Sequence, residues 1–121
     1  METSMTDIVR QNPHGGILAD AAEFGNLVFV AGQVPDDPTQ DIAGQTRQVL
    51  AAIDAVLAKA GTSKSRILSA NIWLTDIRNR EAMNAIWKAW VDPNNLPARA
   101  TVEAKLADPR MLVEIAVIAA K

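Results

Sequence analysis

The chain has 121 residues, nearly half hydrophobic and about a fifth charged, with a formal net charge of −2 and no cysteine. That length suits a single domain over residues 1–121 around one apolar core, and the lack of cysteine excludes disulfides, thiolate metal sites and cysteine nucleophiles. The twelve basic residues are scattered, and three Trp, two Phe and no Tyr offer no stacking platform, so nucleic acid is not an expected partner.

Residues 1–10 carry acidic groups and no cationic flank leading into an apolar block, so no secretory leader is expected and the expected location is cytoplasmic. A short strand is possible at residues 7–10, and Asn12-Pro13-His14-Gly15-Gly16 marks a loop. Residues 21–24 and 27–34 read as a β-hairpin turning on Gly25-Asn26, two residues that tolerate positive φ. Pro35-Asp36-Asp37-Pro38 ends it, because proline cannot donate to a ladder. From 41 to 60, Ile42, Thr46, Val49, Ile53, Val56 and Ala60 recur at helical spacing, with Asp41 as N-cap and Gly61 as C-terminal stop.

Residues 66–75 alternate as a strand, with Leu68, Ala70, Ile72 and Leu74 on one side and Ser69, Asn71, Trp73 and Thr75 on the other. A second helix is expected over 79–91, with Met83, Ile86, Trp87 and Trp90 as its apolar stripe and Pro93 and Pro97 beyond it. Residues 99–106 and 111–120 read as two strands paired in a hairpin through Ala107-Asp108-Pro109-Arg110. The longest apolar run, 115–120, is far below the roughly 18 residues that span a bilayer, so no membrane insertion is expected. The order ββαβαββ implies an α+β two-layer sandwich, a mixed sheet with both helices on one face. The other face would then be bare and apolar, which predicts association through it.

Arg99, Thr101 and Glu103 share one side of their strand, and Arg99 sits where a loop enters the sheet. Its five fixed donors suit a carboxylate ligand, while a surface ion pair with an acid is the plainer alternative. Glu114 interrupts an otherwise apolar run, so it must be paired, protonated or functional. His14, the only histidine, reads as a solvated loop residue, and Trp87 and Trp90 as core or subunit contact. No dinucleotide, phosphate-loop or serine-hydrolase motif is present, and one His without Cys makes a transition-metal site an unexpected one.

Five segments form a recognisable series: Gly25-Asn26-Leu27-Val28-Phe29-Val30-Ala31-Gly32-Gln33, Gln45-Thr46-Arg47-Gln48-Val49-Leu50, Leu74-Thr75-Asp76, Pro97-Ala98-Arg99-Ala100-Thr101-Val102 and Leu112-Val113-Glu114-Ile115. Together, from about residue 21 to the C-terminus, they resemble the RidA/YjgF family, and Ala82-Met83-Asn84 through Trp87-Lys88-Ala89-Trp90 is similar to its YoaB-like branch. The resemblance implies a chorismate-mutase-like homotrimer with clefts between subunits, and hydrolysis of 2-imino or 2-enamino acids to 2-oxo acids and ammonia without metal or organic cofactor. It gives Arg99 the substrate carboxylate and Glu114 the attacking water; with 99–106 and 111–120 read as a hairpin, the two are expected to converge from adjoining strands at a protomer boundary. Thr101, Asn84, Leu18, Ala31 and Gly32 are the further candidates for substrate contact.

The chain departs from the family pattern in two places. Gly16-Ile17-Leu18-Ala19-Asp20 stands where deaminating members have Gly-Pro-Tyr-Ser-Gln, and Ala31-Gly32-Gln33 replaces Ser-Gly-Gln. A tyrosine and two serines are thus missing, which leaves a non-catalytic trimer binding a small carboxylate or a protein partner as the alternative. Ribonuclease activity, known for some relatives, is poorly matched by a chain without a basic groove or a histidine pair.

Overall fold

A computed structural model describes residues 6–121. The first strands are β1 (Ile8–Gln11), β2 (Ala21–Phe24) and β3 (Leu27–Gln33), with Phe24 opposite Leu27 so that Gly25-Asn26 alone makes the turn. Gly25 takes φ 60°, the left-handed value this hairpin turn needs. Helix α1 (Ile42–Lys59) opens where an Asp41 carboxylate oxygen accepts the Gly44 N–H at 2.9 Å. It closes at Gly61, φ 79°, with Gly61 N–H on the Ala58 carbonyl and Thr62 N–H on the Leu57 carbonyl, both 3.0 Å. Then come β4 (Ile67–Leu74), helix α2 (Arg80–Trp90), β5 (Ala98–Glu103) and β6 (Val113–Ala120).

The strands form one mixed six-stranded sheet in the order β1-β2-β3-β6-β4-β5, antiparallel except for the parallel pair β4–β5. This corrects the expected hairpin of the last two strands. Helix α2 is a crossover between β4 and β5, which brings β5 out beside β4 and running the same way. The chain then returns along 104–112, and β6 enters the middle of the sheet between β3 and β4. Central placement suits β6, the strand that is apolar on both faces apart from Glu114. The edges fall to short strands with charged side chains, β1 with Arg10 and β5 with Arg99 and Glu103. The full order is βββαβαββ, one strand more than ββαβαββ, because the segment at residues 8–11 pairs with β2.

Both helices lie on one face of the sheet. Val49, Leu50, Ile53 and Leu57 of α1 and Met83 of α2 pack on Val28, Ala70, Ile72, Leu74, Val113, Ile115 and Val117, all at most 2% exposed. The alternation expected for 66–75 holds from Ala70 onward but fails at Leu68, which is half exposed. A register shift between Ile67 and Ser69 turns Ile67 inward in its place. The helix-free face presents Ile8, Phe24 and Phe29, each more than two-fifths exposed. Ala116, Ile118 and Trp73 continue that face across β6 and β4.

Gln45 joins α1 to the entry of β6. It is fully buried, its amide nitrogen donates towards the Pro38, Gln40 and Arg110 carbonyls at 3.0–3.1 Å, and its carbonyl oxygen accepts the Leu112 N–H at 2.7 Å. The backbone just ahead of Glu114 is therefore held by a side chain from the first turn of the helix.

Candidate functional site

Arg99 is the second residue of β5 and pairs with Ala70 of β4, a residue of the buried, helix-covered face. Its side chain therefore rises on the helix side, where the guanidinium carbon lies 5.3 Å from the centre of the Trp87 ring. Among the described residues no acid pairs with it and no hydrogen bond engages it, so the surface ion pair is not realised. Burial first, and then the charge of Arg80, push its pKa below the usual arginine value. A guanidinium remains protonated at neutral pH even so, which leaves a partly desolvated cation without a counter-ion.

Asn84, Trp87, Lys88, Val91, Leu96 and Arg99 line a cleft of about 260 Å³ at this edge of the sheet. No acidic side chain is among them. Thr101, two residues along β5 on the same side, has a buried hydroxyl oxygen without a partner, and Asn84 has a buried amide oxygen in the same state. Buried polar atoms without partners are uncommon in folded proteins; Asn84 lines the cleft with Arg99, and Thr101 stands on the same side of β5 as Arg99, outside that lining.

Glu114 lies elsewhere. It pairs with Trp73 across β4 and faces away from the helices, since its neighbours Val113 and Ile115 are fully buried beneath them. β4 separates β6 from β5, so the two strands carrying Glu114 and Arg99 do not adjoin, and the two side chains leave opposite faces of the sheet. This corrects the expected geometry within one protomer. Glu114 forms no hydrogen bond or ion pair among the described residues, so an internal pair does not account for it either.

Gly32 explains how Glu114 fits. Val30 pairs with Val117 but Gln33 pairs with Ile115, so β3 carries one extra residue at Ala31-Gly32, a bulge of the kind found beside functional sites. The Glu114 carboxylate lies over Gly32 so closely that a Cβ there would overlap it. Ala31 is engaged through its backbone: its N–H donates to the Asp20 carbonyl at 2.9 Å and its carbonyl accepts from the Gln33 amide at 3.0 Å.

Leu18 lies apart from both groups. The Leu18 carbonyl accepts the His14 N–H at 2.9 Å, closing a loop in which Gly15 and Gly16 both take positive φ. A hollow of about 470 Å³ opens beside Arg10, His14, Ile17, Leu18 and Ala19. The His14 ring nitrogen is 2.7 Å from the Asn12 carbonyl, a local contact. Three residues escaped the sequence reading as site members: Trp87 beneath Arg99, Lys88 in the same cleft, and Trp73 beside Glu114. The signal for Lys88 was its position four residues after Asn84, which puts both on one side of α2.

The mixed sheet with a pair of helices on one face defines a small α+β protein. A crystal structure of NMB1025, a YjgF-family member from Neisseria meningitidis, superposes with a TM-score of 0.93 at 39% identity and covers 98% of both chains. The family described as Endoribonuclease L-PSP matches residues 11–121. A RutC family protein of Haemophilus ducreyi is 46% identical over 103 residues, 85% of this chain and 88% of its own. The RutC family protein YoaB of Escherichia coli is 43% identical over 102 residues, 84% and 89% of the two chains. This chain belongs to that YjgF/RutC family. No helix among the described residues is long and apolar enough to cross a membrane.

Proposed function

We propose that this protein hydrolyses reactive 2-imino and 2-enamino acids to 2-oxo acids and ammonia, in clefts formed where copies of the chain meet. The observation that carries the reading is the counter-ion-free Arg99 guanidinium facing a cleft with no acid. Such a fork matches a carboxylate bidentately, and stacking on Trp87 limits the orientations it samples. The unpartnered Asn84 amide oxygen on the cleft lining is an acceptor for the ligand's N–H, and the Thr101 hydroxyl stands on the same side of β5 as Arg99.

The chemistry then needs one acid or base near the imine carbon. A water adds to that carbon and gives a proton to the Glu114 carboxylate. The carboxyl group returns that proton to nitrogen to give a carbinolamine; the carboxylate then carries the hydroxyl proton to nitrogen as the carbon–nitrogen bond breaks, so ammonia leaves and the carbonyl forms. Because the carbon is already electrophilic, positioning and proton transfer suffice. Glu114 and Arg99 lie on opposite faces of one protomer's sheet, so the reading requires Glu114 of one copy to meet Arg99 of another. The bare apolar face supports association, and a homotrimer is the closed assembly we propose.

The experiment generates 2-iminopropanoate in place and follows ammonia release. Wild-type protein accelerates it, and Arg99→Ala loses at least about tenfold, roughly 1.4 kcal/mol. Equal rates for wild type, variant and buffer would end the proposal.

One observation favours a second reading, a carboxylate-binding assembly without turnover. Leu18, Ala19 and Ala31 bring no hydroxyl, and both backbone groups of Ala31 are already hydrogen-bonded. Thermal stabilisation by 2-oxo acids that Arg99→Ala abolishes, with no ammonia released, would select it.

A further inference from the structure

Resting on the reading of the Arg99 cleft just given, we infer that its preferred substrates are dicarboxylic, imino acids whose side chain ends in a second carboxylate that Lys88 receives. Lys88 lines the cleft with Arg99 and has no ion pair or hydrogen bond among the described residues. It stands on α2 four residues after Asn84, so the two project from one side of the helix over the same opening.

A third cation, Arg80 at the start of α2, is close enough to depress the Arg99 pKa, although its own guanidinium is 3.5 Å from Glu81. Within one copy the cleft therefore has two cations without counter-ions and no acid on its lining, and the single Glu114 that another copy would bring to Arg99 leaves Lys88 without one. A ligand with one carboxylate engages Arg99 and leaves Lys88 unanswered. A ligand with two carboxylates and a short methylene bridge engages both, while the bridge rests on Trp87 and Val91.

Charge is the discriminating property, so the test compares ligands of equal chain length. Product analogues bind without turnover: 2-oxoglutarate has the second carboxylate and 2-oxopentanoate has a methyl group in its place. Titration calorimetry at low ionic strength is expected to give 2-oxoglutarate an affinity at least about fivefold higher, a margin that shrinks as salt screens the partly exposed lysine. Lys88→Ala removes the margin and Lys88→Glu inverts it, while Lys105→Glu, an exposed charge reversal outside the cleft, preserves it.

Binding of 2-oxopentanoate as tight as that of 2-oxoglutarate, lost in Arg99→Ala, would overturn the dicarboxylate inference and leave the parent reading standing. A dicarboxylate preference unchanged by Lys88→Glu would also overturn it. If neither oxo acid binds the wild-type protein, the Arg99 cleft is not a carboxylate site and both proposals fall together.

Discussion

Arg99 and Glu114 are strand residues whose side chains have no ion pair or hydrogen bond among the described residues, and each is explained by one neighbour. Trp87 gives the guanidinium an apolar floor. Gly32, at the bulge in β3, gives the carboxylate the space that any Cβ would take. Gly32→Ala must therefore displace Glu114 while leaving the Arg99 cleft intact. We expect kcat for imine hydrolysis to fall roughly tenfold or more with KM changed little, since misplacing a reacting group by about 1 Å carries penalties of that order or larger. Steady-state kinetics on the variant checks this, and a change confined to KM would contradict it. Arg99 and Glu114 stood out in the sequence because a cation and an acid are unusual types for their strand positions, and Thr101 because it shares a strand side with Arg99. Trp87 and Lys88 were not, because an apolar or charged residue on a helix has the same spacing whether it faces core, solvent or cleft.

The elements were legible where a local signal fixes them. Asp41 and Gly61 mark α1 at both ends, and Gly25-Asn26 marks the first hairpin. Strand pairing was not legible for β5 and β6, since two strands joined by a short connection give the same pattern whether they pair or are separated by a third. Gln45 ties the entry of β6 to α1 through its contacts to Arg110 and Leu112. Gln45→Leu would leave the Leu112 N–H and three carbonyls without this partner, and we expect a loss of about 2–4 kcal/mol in denaturant unfolding.

The connections share another device. Asp37, Asp76, Asp92 and Asp108 each accept the N–H two residues on, at 2.9–3.1 Å. Their pKa values are lowered, chiefly by side-chain hydrogen bonds from Thr39, Arg78, Asn95 and Arg110 respectively. An acid with a depressed folded-state pKa stabilises the fold above its unfolded value, near 3.9 for Asp, and loses that contribution as pH falls through the folded value. Stability should therefore hold from about pH 7 to 5 and decline below about pH 4, with a shallower decline in Asp76→Asn. Unfolding curves across that range check the direction, and stability rising on acidification below pH 4 would contradict it.

At the scale of the whole molecule, the sequence pattern showed that one sheet face would be bare, and Ile8, Phe24 and Phe29 are exposed there. It did not show that Arg99 and Glu114 leave opposite faces, because facing depends on which strands neighbour which, and that is set by the crossover through α2 and the return of β6. The proposed activity thus requires an assembly in which each site would draw its cation from one copy and its acid from another. The most direct measurement mixes two inactive proteins, Arg99→Ala and Glu114→Gln, refolds them together and follows imine hydrolysis. Random assembly of a cyclic oligomer pairs an intact arginine with an intact glutamate at about a quarter of the sites, and activity should recover to about that fraction of wild type. Mixed oligomers that form, as judged by native mass spectrometry, and yet stay inactive would contradict a site shared between copies.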